Sequence, residues 1–108
     1  MRTKFALSIL VLTAAVIPAH AAGDAAAGKK KASQCQTCHG MDGLSKLPEA
    51  PNLAGQTAYY LNKALTDFKV GVRKNDMMTV VIQPLSPADL ADLAAYYSSI
   101  KVKVEAAP

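Results

Sequence analysis

The two cysteines of this chain lie three positions apart, and a histidine follows the second one directly. Cys35, Cys38 and His39 form the pentapeptide CQTCH, and no other cysteine occurs in the 108 residues. If this segment is helical, the two sulfur atoms lie about one turn apart on the same side, because a helix has about 3.6 residues per turn. The pattern places every thiol of the chain beside an imidazole.

Several chemistries use cysteines at such a spacing, and most of them fit this sequence poorly. A structural zinc site needs four ligands, whereas only Cys35, Cys38 and His39 are available after residue 21. A redox dithiol of the thioredoxin type belongs to an α/β fold, and no segment here alternates as a strand. A cysteine nucleophile needs a histidine base brought in from elsewhere in the chain. A disulfide within so short a loop stabilises little.

Covalent attachment of haem fits the pentapeptide best. The pattern Cys-x-x-Cys-His is typical of c-type haem attachment. Each thiol, on Cys35 and on Cys38, adds to one vinyl group of the porphyrin, and His39 ligates the iron. We therefore predict one covalently bound haem c, which also supplies apolar interior to the protein.

The first 21 residues have the composition of a secretory signal peptide. Arg2 and Lys4 precede an uncharged apolar run, and Pro18 and small residues follow it. The run is shorter than the roughly 20 apolar residues that cross a bilayer, which disfavours a retained membrane anchor. We predict a signal peptide over residues 1–21 and one periplasmic domain over residues 22–108, with no stable membrane insertion.

The remaining domain is small and only weakly basic. It has 87 residues (108 minus 21), and the counts of 12 basic and 8 acidic residues become 10 and 8 without Arg2 and Lys4. A chain of this size buries only about 60–65% of its unfolded surface, so a cofactor is a common source of extra core. The lysine cluster at residues 29–31 has no interleaved aromatic residues, and nucleic-acid binding is not predicted.

Three segments have helical patterns, at residues 22–35, 56–71 and 86–101. The first is rich in Ala and Lys, and the second places apolar residues on one face before it reaches a glycine. The third is the clearest, because Ser86 and Asp89 stand in the positions of a capping box. These patterns predict an all-α fold with about three main helices.

Long loops join these predicted helices. Residues 40–55 contain three glycines and two prolines, which predicts a loop, and residues 72–84 are irregular with room for one helical turn. A loop of this length is uncommon in a compact domain. It is expected where a chain wraps around a bound group.

The sequence resembles the class I cytochromes c, the small soluble monohaem type. It is most similar to one half of the dihaem periplasmic cytochromes c of bacteria. The resemblance covers residues 22–101 and rests on CQTCHGMDG, on PNLAGQTAYYLNKALTDFKVGVRKND, on the methionine pair that follows, and on LSPADLADLAAYYSSI. It implies the cytochrome c fold, with helices and long loops wrapped around one haem.

The resemblance assigns roles to the residues around the pentapeptide. Cys35 and Cys38 match the thioether positions, and His39 matches the proximal iron ligand. Pro51 matches the proline whose carbonyl oxygen accepts a hydrogen bond from Nδ1 of the histidine, a contact that orients the ring. Gly28 matches the glycine that lets Tyr96 approach where the terminal helices cross.

The distal ligand is also implied by the resemblance. In the family this methionine precedes the leucine at the start of the last helix by seven residues. Counting back from Leu85 reaches Met78, and the neighbouring Met77 is then a packing or surface residue. Asn75 lies just upstream, where it can orient the loop.

The function implied is periplasmic electron transfer through haem with His39 and Met78 as axial ligands, and no catalysis. The alternatives are a haem subunit of a larger dehydrogenase or oxidase, and a haem enzyme or gas sensor. The expected partners are redox proteins. Four basic residues are candidates to surround the exposed haem edge: Lys46, Lys69, Arg73 and Lys74.

Overall fold

The computed structural model describes residues 22–108, and the predicted signal peptide lies outside this range. The described part of the chain is helical and contains no strand, which confirms the all-α prediction. None of its helices is both long enough and apolar enough to cross a membrane. The elements are α1 (Ala25–Lys31), a 3-10 turn (Ala32–Gln34), α2 (Gln36–His39), α3 (Ala58–Val70), α4 (Asp76–Val81) and α5 (Pro87–Ser99).

Helices α1 and α5 cross at very short distance. Gly28 is buried at the crossing, and a Cβ atom placed there would lie 2.0 Å from the carbonyl oxygen of Asp92 and 2.9 Å from Cβ of Tyr96. No larger residue fits without moving the backbone of α5. The close approach of Gly28 and Tyr96 is therefore present in the structure.

A small ionic network lies beside this crossing. Nζ of Lys31 in α1 is 2.7 Å from a carboxylate oxygen of Asp89 and 2.5 Å from one of Asp92. Asp92 also accepts a hydrogen bond from the backbone N–H of Asp24, at 2.7 Å. Asp24 in turn caps α1 by accepting from the second and third N–H groups of that helix. The two helices are joined by charge as well as by packing.

Helix α3 packs against α5 and contributes to the core. Thr57 caps its first turn, and Gly71 ends it in the left-handed conformation, at φ 81°. Leu61 and Phe68 are its buried residues. At the start of α5 the predicted capping box is present. The hydroxyl oxygen of Ser86 accepts from the backbone N–H three residues later, and the carboxylate of that later residue accepts from the backbone N–H of Ser86.

The two predicted loops differ in their secondary structure. Residues 40–55 contain no helix, as expected, and the helix predicted from residue 56 begins at Ala58. Within residues 72–84 the chain forms α4, a six-residue helix and therefore more than the single turn allowed by the sequence pattern. The reason is Asn75, whose side-chain oxygen accepts from the backbone N–H groups of Met77 and Met78 at 3.1 and 3.0 Å.

Candidate functional site

A cavity of about 710 Å³ occupies the space between α2, α3, α4, α5 and the loop before α3. Most side chains on its wall are apolar. The buried core and the cavity wall largely coincide, because six of the nine buried apolar residues also line the cavity. These six are Leu61, Phe68, Ile82, Leu85, Leu93 and Tyr97. The core of this domain is therefore built around a space instead of filling it.

The CQTCH segment forms one wall of the cavity. Cys35 is the residue before α2, Cys38 and His39 lie within α2, and all three line the cavity. Burial raises the pKa of the Cys35 thiol to about 11, with a smaller contribution from the neighbouring thiol of Cys38. A catalytic cysteine nucleophile needs the opposite shift, so this environment disfavours nucleophilic catalysis by Cys35.

His39 is buried, and its ring is held by a backbone carbonyl. Nδ1 of His39 lies 2.9 Å from the carbonyl oxygen of Pro51, the partner that the resemblance implies. A carbonyl oxygen can only accept, so Nδ1 carries a proton, and in the neutral ring the lone pair is therefore on Nε2. This tautomer is the one that a metal-ligating histidine needs.

The two neighbouring methionines differ in their surroundings, although both line the cavity. Met77 is 64% exposed, whereas Met78 is half-buried and packs against the hydrophobic core. Both follow Asn75, and its side chain bonds both of their backbone N–H groups. Burial therefore separates two residues that look alike in the sequence.

The donor set and the cavity fit haem c. Two thiols, on Cys35 and Cys38, stand next to an imidazole with a free Nε2, and the thioether of Met78 lines the same apolar cavity. Cys35 and Cys38 can anchor a porphyrin edge, His39 can donate to iron, and the apolar wall suits the faces of the macrocycle.

The four basic candidates for the haem edge separate into two pairs. Lys46 lies 3.1 Å from the carboxylate four residues before it in the sequence, and Nζ of Lys69 bonds a backbone carbonyl after α4. Arg73 and Lys74 line the cavity, and the guanidinium of Arg73 stacks 4.8 Å from the ring centroid of Phe68. The cations at the cavity are therefore Arg73 and Lys74.

One cavity residue on the apolar face of α5 makes a polar contact that the sequence does not indicate. Tyr97 is buried, and its hydroxyl donates to the carbonyl oxygen of Gly40 at 3.1 Å. The helical spacing from Leu90 and Leu93 predicts that Tyr97 faces inward. No pattern in the sequence indicates a partner 57 positions away.

Comparisons with known proteins identify the family of this chain. The sequence profile of the family described as cytochrome c matches residues 25–101. A cytochrome c4 from Pseudomonas aeruginosa is 48% identical over 101 residues, which are 94% of this chain and 50% of that protein. A cytochrome c-554(548) from Halomonas halodenitrificans is 49% identical over 81 residues, which are 72% of this chain and 98% of that protein.

A solved structure gives the same result for the fold. The crystal structure of reduced recombinant cytochrome c4 from Pseudomonas stutzeri matches with a TM-score of 0.71 at 48% identity, covering 77% of this chain and 48% of that one. The chain thus spans about half the length of the cytochromes c4 that it matches, in agreement with the resemblance to one half of a longer cytochrome. With the CQTCH segment, these similarities show that the chain belongs to the cytochrome c family and has one covalently attached haem c.

Proposed function

We propose that this protein is a periplasmic electron carrier whose haem iron is ligated by His39 and Met78. The bound haem supplies a one-electron couple between Fe(III) and Fe(II). The observation that carries the proposal is the pairing of two donors on one apolar cavity: the Nε2 lone pair of His39 and the half-buried thioether of Met78.

Each donor is supported by the chain around it. The carbonyl of Pro51 orients His39, and the side chain of Asn75 fixes the backbone of Met78 from the first turn of α4. Because the chain holds both donors in place, we expect their positions to change little when the iron changes its oxidation state. A small structural change is what a fast electron carrier requires.

Electron transfer is favoured over catalysis because the one histidine available is already engaged. After residue 21 the sequence has a single histidine, and its Nδ1 already donates to Pro51. With His39 and Met78 on the iron, neither axial position is open to a substrate. The protein then exchanges electrons with partner proteins and converts no substrate of its own.

The cavity wall also suggests where partners dock. Leu47, Tyr60 and Met77 line the cavity and are each more than 40% exposed, and Arg73 and Lys74 lie on the same wall. Electron-transfer partners use small, short-lived interfaces. Two carboxylates line the same cavity, so charge steering is modest. A partner with an apolar centre and some acidic groups matches this surface, and salt should weaken its approach moderately.

The proposed export of the protein rests on the first 21 residues. Their pattern of a basic start, an apolar run and small residues supports a cleaved signal peptide over residues 1–21 and a mature periplasmic domain over residues 22–108. Covalent haem attachment would then take place outside the cytoplasm.

The kinetic test uses the reduced, haem-loaded protein and a periplasmic oxidase or reductase preparation from the same source. We expect rapid oxidation that slows as salt is added. Lys74→Gln should slow the reaction, whereas Lys46→Gln, which removes an equal charge that pairs with a carboxylate at 3.1 Å, should change it less. Steady peroxidase or nitrite-reducing turnover by the intact protein, faster than its oxidation by any such preparation, would contradict the proposal.

A further inference from the structure

Two neighbouring tyrosines of α5 reach the backbone that directly follows His39. The hydroxyl of Tyr97 donates to the carbonyl oxygen of Gly40 at 3.1 Å, and the hydroxyl of Tyr96 donates to the carbonyl oxygen of Met41 at 2.6 Å. The two rings pack together, with centroids 5.0 Å apart. The last helix therefore holds two consecutive peptide groups that begin one residue after the histidine.

Only one of these tyrosines belongs to the cavity wall. Tyr97 lines the cavity and is 3% exposed, whereas Tyr96 is half-buried and lies outside the wall. Leaving a buried hydroxyl without a partner costs about 1–3 kcal/mol. The bond from Tyr97 to Gly40 is therefore favoured strongly enough to hold that carbonyl in one orientation.

Gly40 has a backbone conformation that reinforces this contact. Its φ is 74° and its ψ is 153°, a region that favours glycine. A Cβ atom there would lie 2.3 Å from Oδ1 of Asp42 and 2.6 Å from the carbonyl oxygen of Leu44. Tyr97 thus holds the peptide that follows Gly40, one peptide removed from His39, while the ring of His39 is held at 2.9 Å by the carbonyl of Pro51.

We propose that Tyr97 is a positioning residue for His39, acting through the carbonyl of Gly40 to keep Nδ1–H of His39 on the carbonyl of Pro51. This inference rests on the proposed function, in which His39 ligates the iron. A hydrogen bond from Nδ1 makes the ligating nitrogen more basic. A more basic ligand stabilises Fe(III) and lowers the reduction potential.

The test compares Tyr97→Phe with Tyr96→Phe in the haem-loaded protein. Each variant keeps its aromatic ring and loses one bond from a hydroxyl to a carbonyl, so loss of stability alone does not distinguish them. We expect Tyr97→Phe to raise the reduction potential. We also expect the Nδ1 proton of His39, followed by NMR in the reduced protein, to exchange faster with deuterated water. Tyr96→Phe should leave both quantities at their wild-type values.

Any other pattern overturns the inference. Such patterns are an unchanged potential or an unchanged exchange rate in Tyr97→Phe, and equal changes in Tyr96→Phe. Failure of the proposed ligation would instead be visible in the wild-type protein, whose oxidised form would lack paramagnetically shifted resonances from the ring of His39. The two failures are therefore separate observations.

Discussion

At the scale of single residues, the choice of distal ligand depends on burial. Met77 and Met78 both line the cavity, but Met77 is 64% exposed and Met78 packs against the core. The backbone N–H groups of both are bonded to Asn75, so their backbones are equally constrained. The side-chain environment, and not the position in the loop, separates them.

We therefore expect Met78→Ala and Met77→Ala to give opposite results. Met78→Ala should produce a high-spin or water-ligated ferric haem with a lower reduction potential, because a thioether favours Fe(II). Met77→Ala is the matched control and should keep a low-spin spectrum. Visible spectra and redox titration of both variants measure this. The reverse result would assign the ligand to Met77, and two unchanged spectra would exclude ligation by either methionine.

At the scale of the helices, ion pairs join α1 and α5 at their crossing. Lys31 lies between Asp89 and Asp92, next to the crossing at Gly28. Asp89 also completes the capping box of α5 with Ser86. One carboxylate therefore stabilises both the start of a helix and its contact with another helix.

The pH dependence of stability should reveal this carboxylate. The pKa of Asp89 is lowered from 3.8 to about 2, mainly by the hydrogen bond from Lys31. The hydrogen bonds from Ser86 lower it further. A carboxyl group whose pKa is lower in the folded state binds protons more readily when unfolded, so its stabilisation is lost as pH falls. The contribution should be complete above about pH 5 and should disappear on acidification from about pH 4 to about pH 2.

Denaturant unfolding of the haem-loaded protein at a series of pH values measures this effect. Asp89→Asn should be less stable than the wild type at pH 7, and the difference should shrink towards pH 2. Glu105→Gln, in the exposed C-terminal segment, is the control and should follow the wild-type curve. A difference between Asp89→Asn and the wild type that stays constant with pH would show that the carboxylate contributes no charge interaction.

At the scale of the whole molecule, the core and the cofactor site are the same structure. Six of the nine buried apolar residues line a cavity of about 710 Å³. Without a cofactor the inward faces of these six side chains meet no protein atoms and lose that packing energy. The net stability of a small domain is usually only about 5–15 kcal/mol. The domain should not remain folded without its haem.

The variant Cys35→Ala/Cys38→Ala, isolated without haem, tests this expectation. It should show little helical signal in far-UV circular dichroism, whereas the haem-loaded wild type should show a full one. The wild type should also retain haem after denaturation in SDS, because both thiols are bonded to it. A fully helical apoprotein would show that the core packs without the cofactor, and haem that extracts from the wild type would contradict covalent attachment.

What the sequence alone determined is local in the chain. The spacing of Cys35, Cys38 and His39 indicated the attachment chemistry, and the capping box at Ser86 indicated the start of α5. Such features depend on neighbours within one or two helical turns, so they can be recognised from adjacent letters. The family resemblance added Pro51 as the partner of His39.

What only the tertiary structure decided is contact between distant segments. The hydroxyl of Tyr97 donates a hydrogen bond to the carbonyl of Gly40, 57 positions away in the sequence. Lys69 donates a hydrogen bond to a backbone carbonyl after α4, whereas Arg73 and Lys74 line the cavity. These contacts arise when α3 and α5 pack around the cavity. Side chains of the same type then have different neighbours, and no periodicity or motif in the sequence indicates which residue each one contacts.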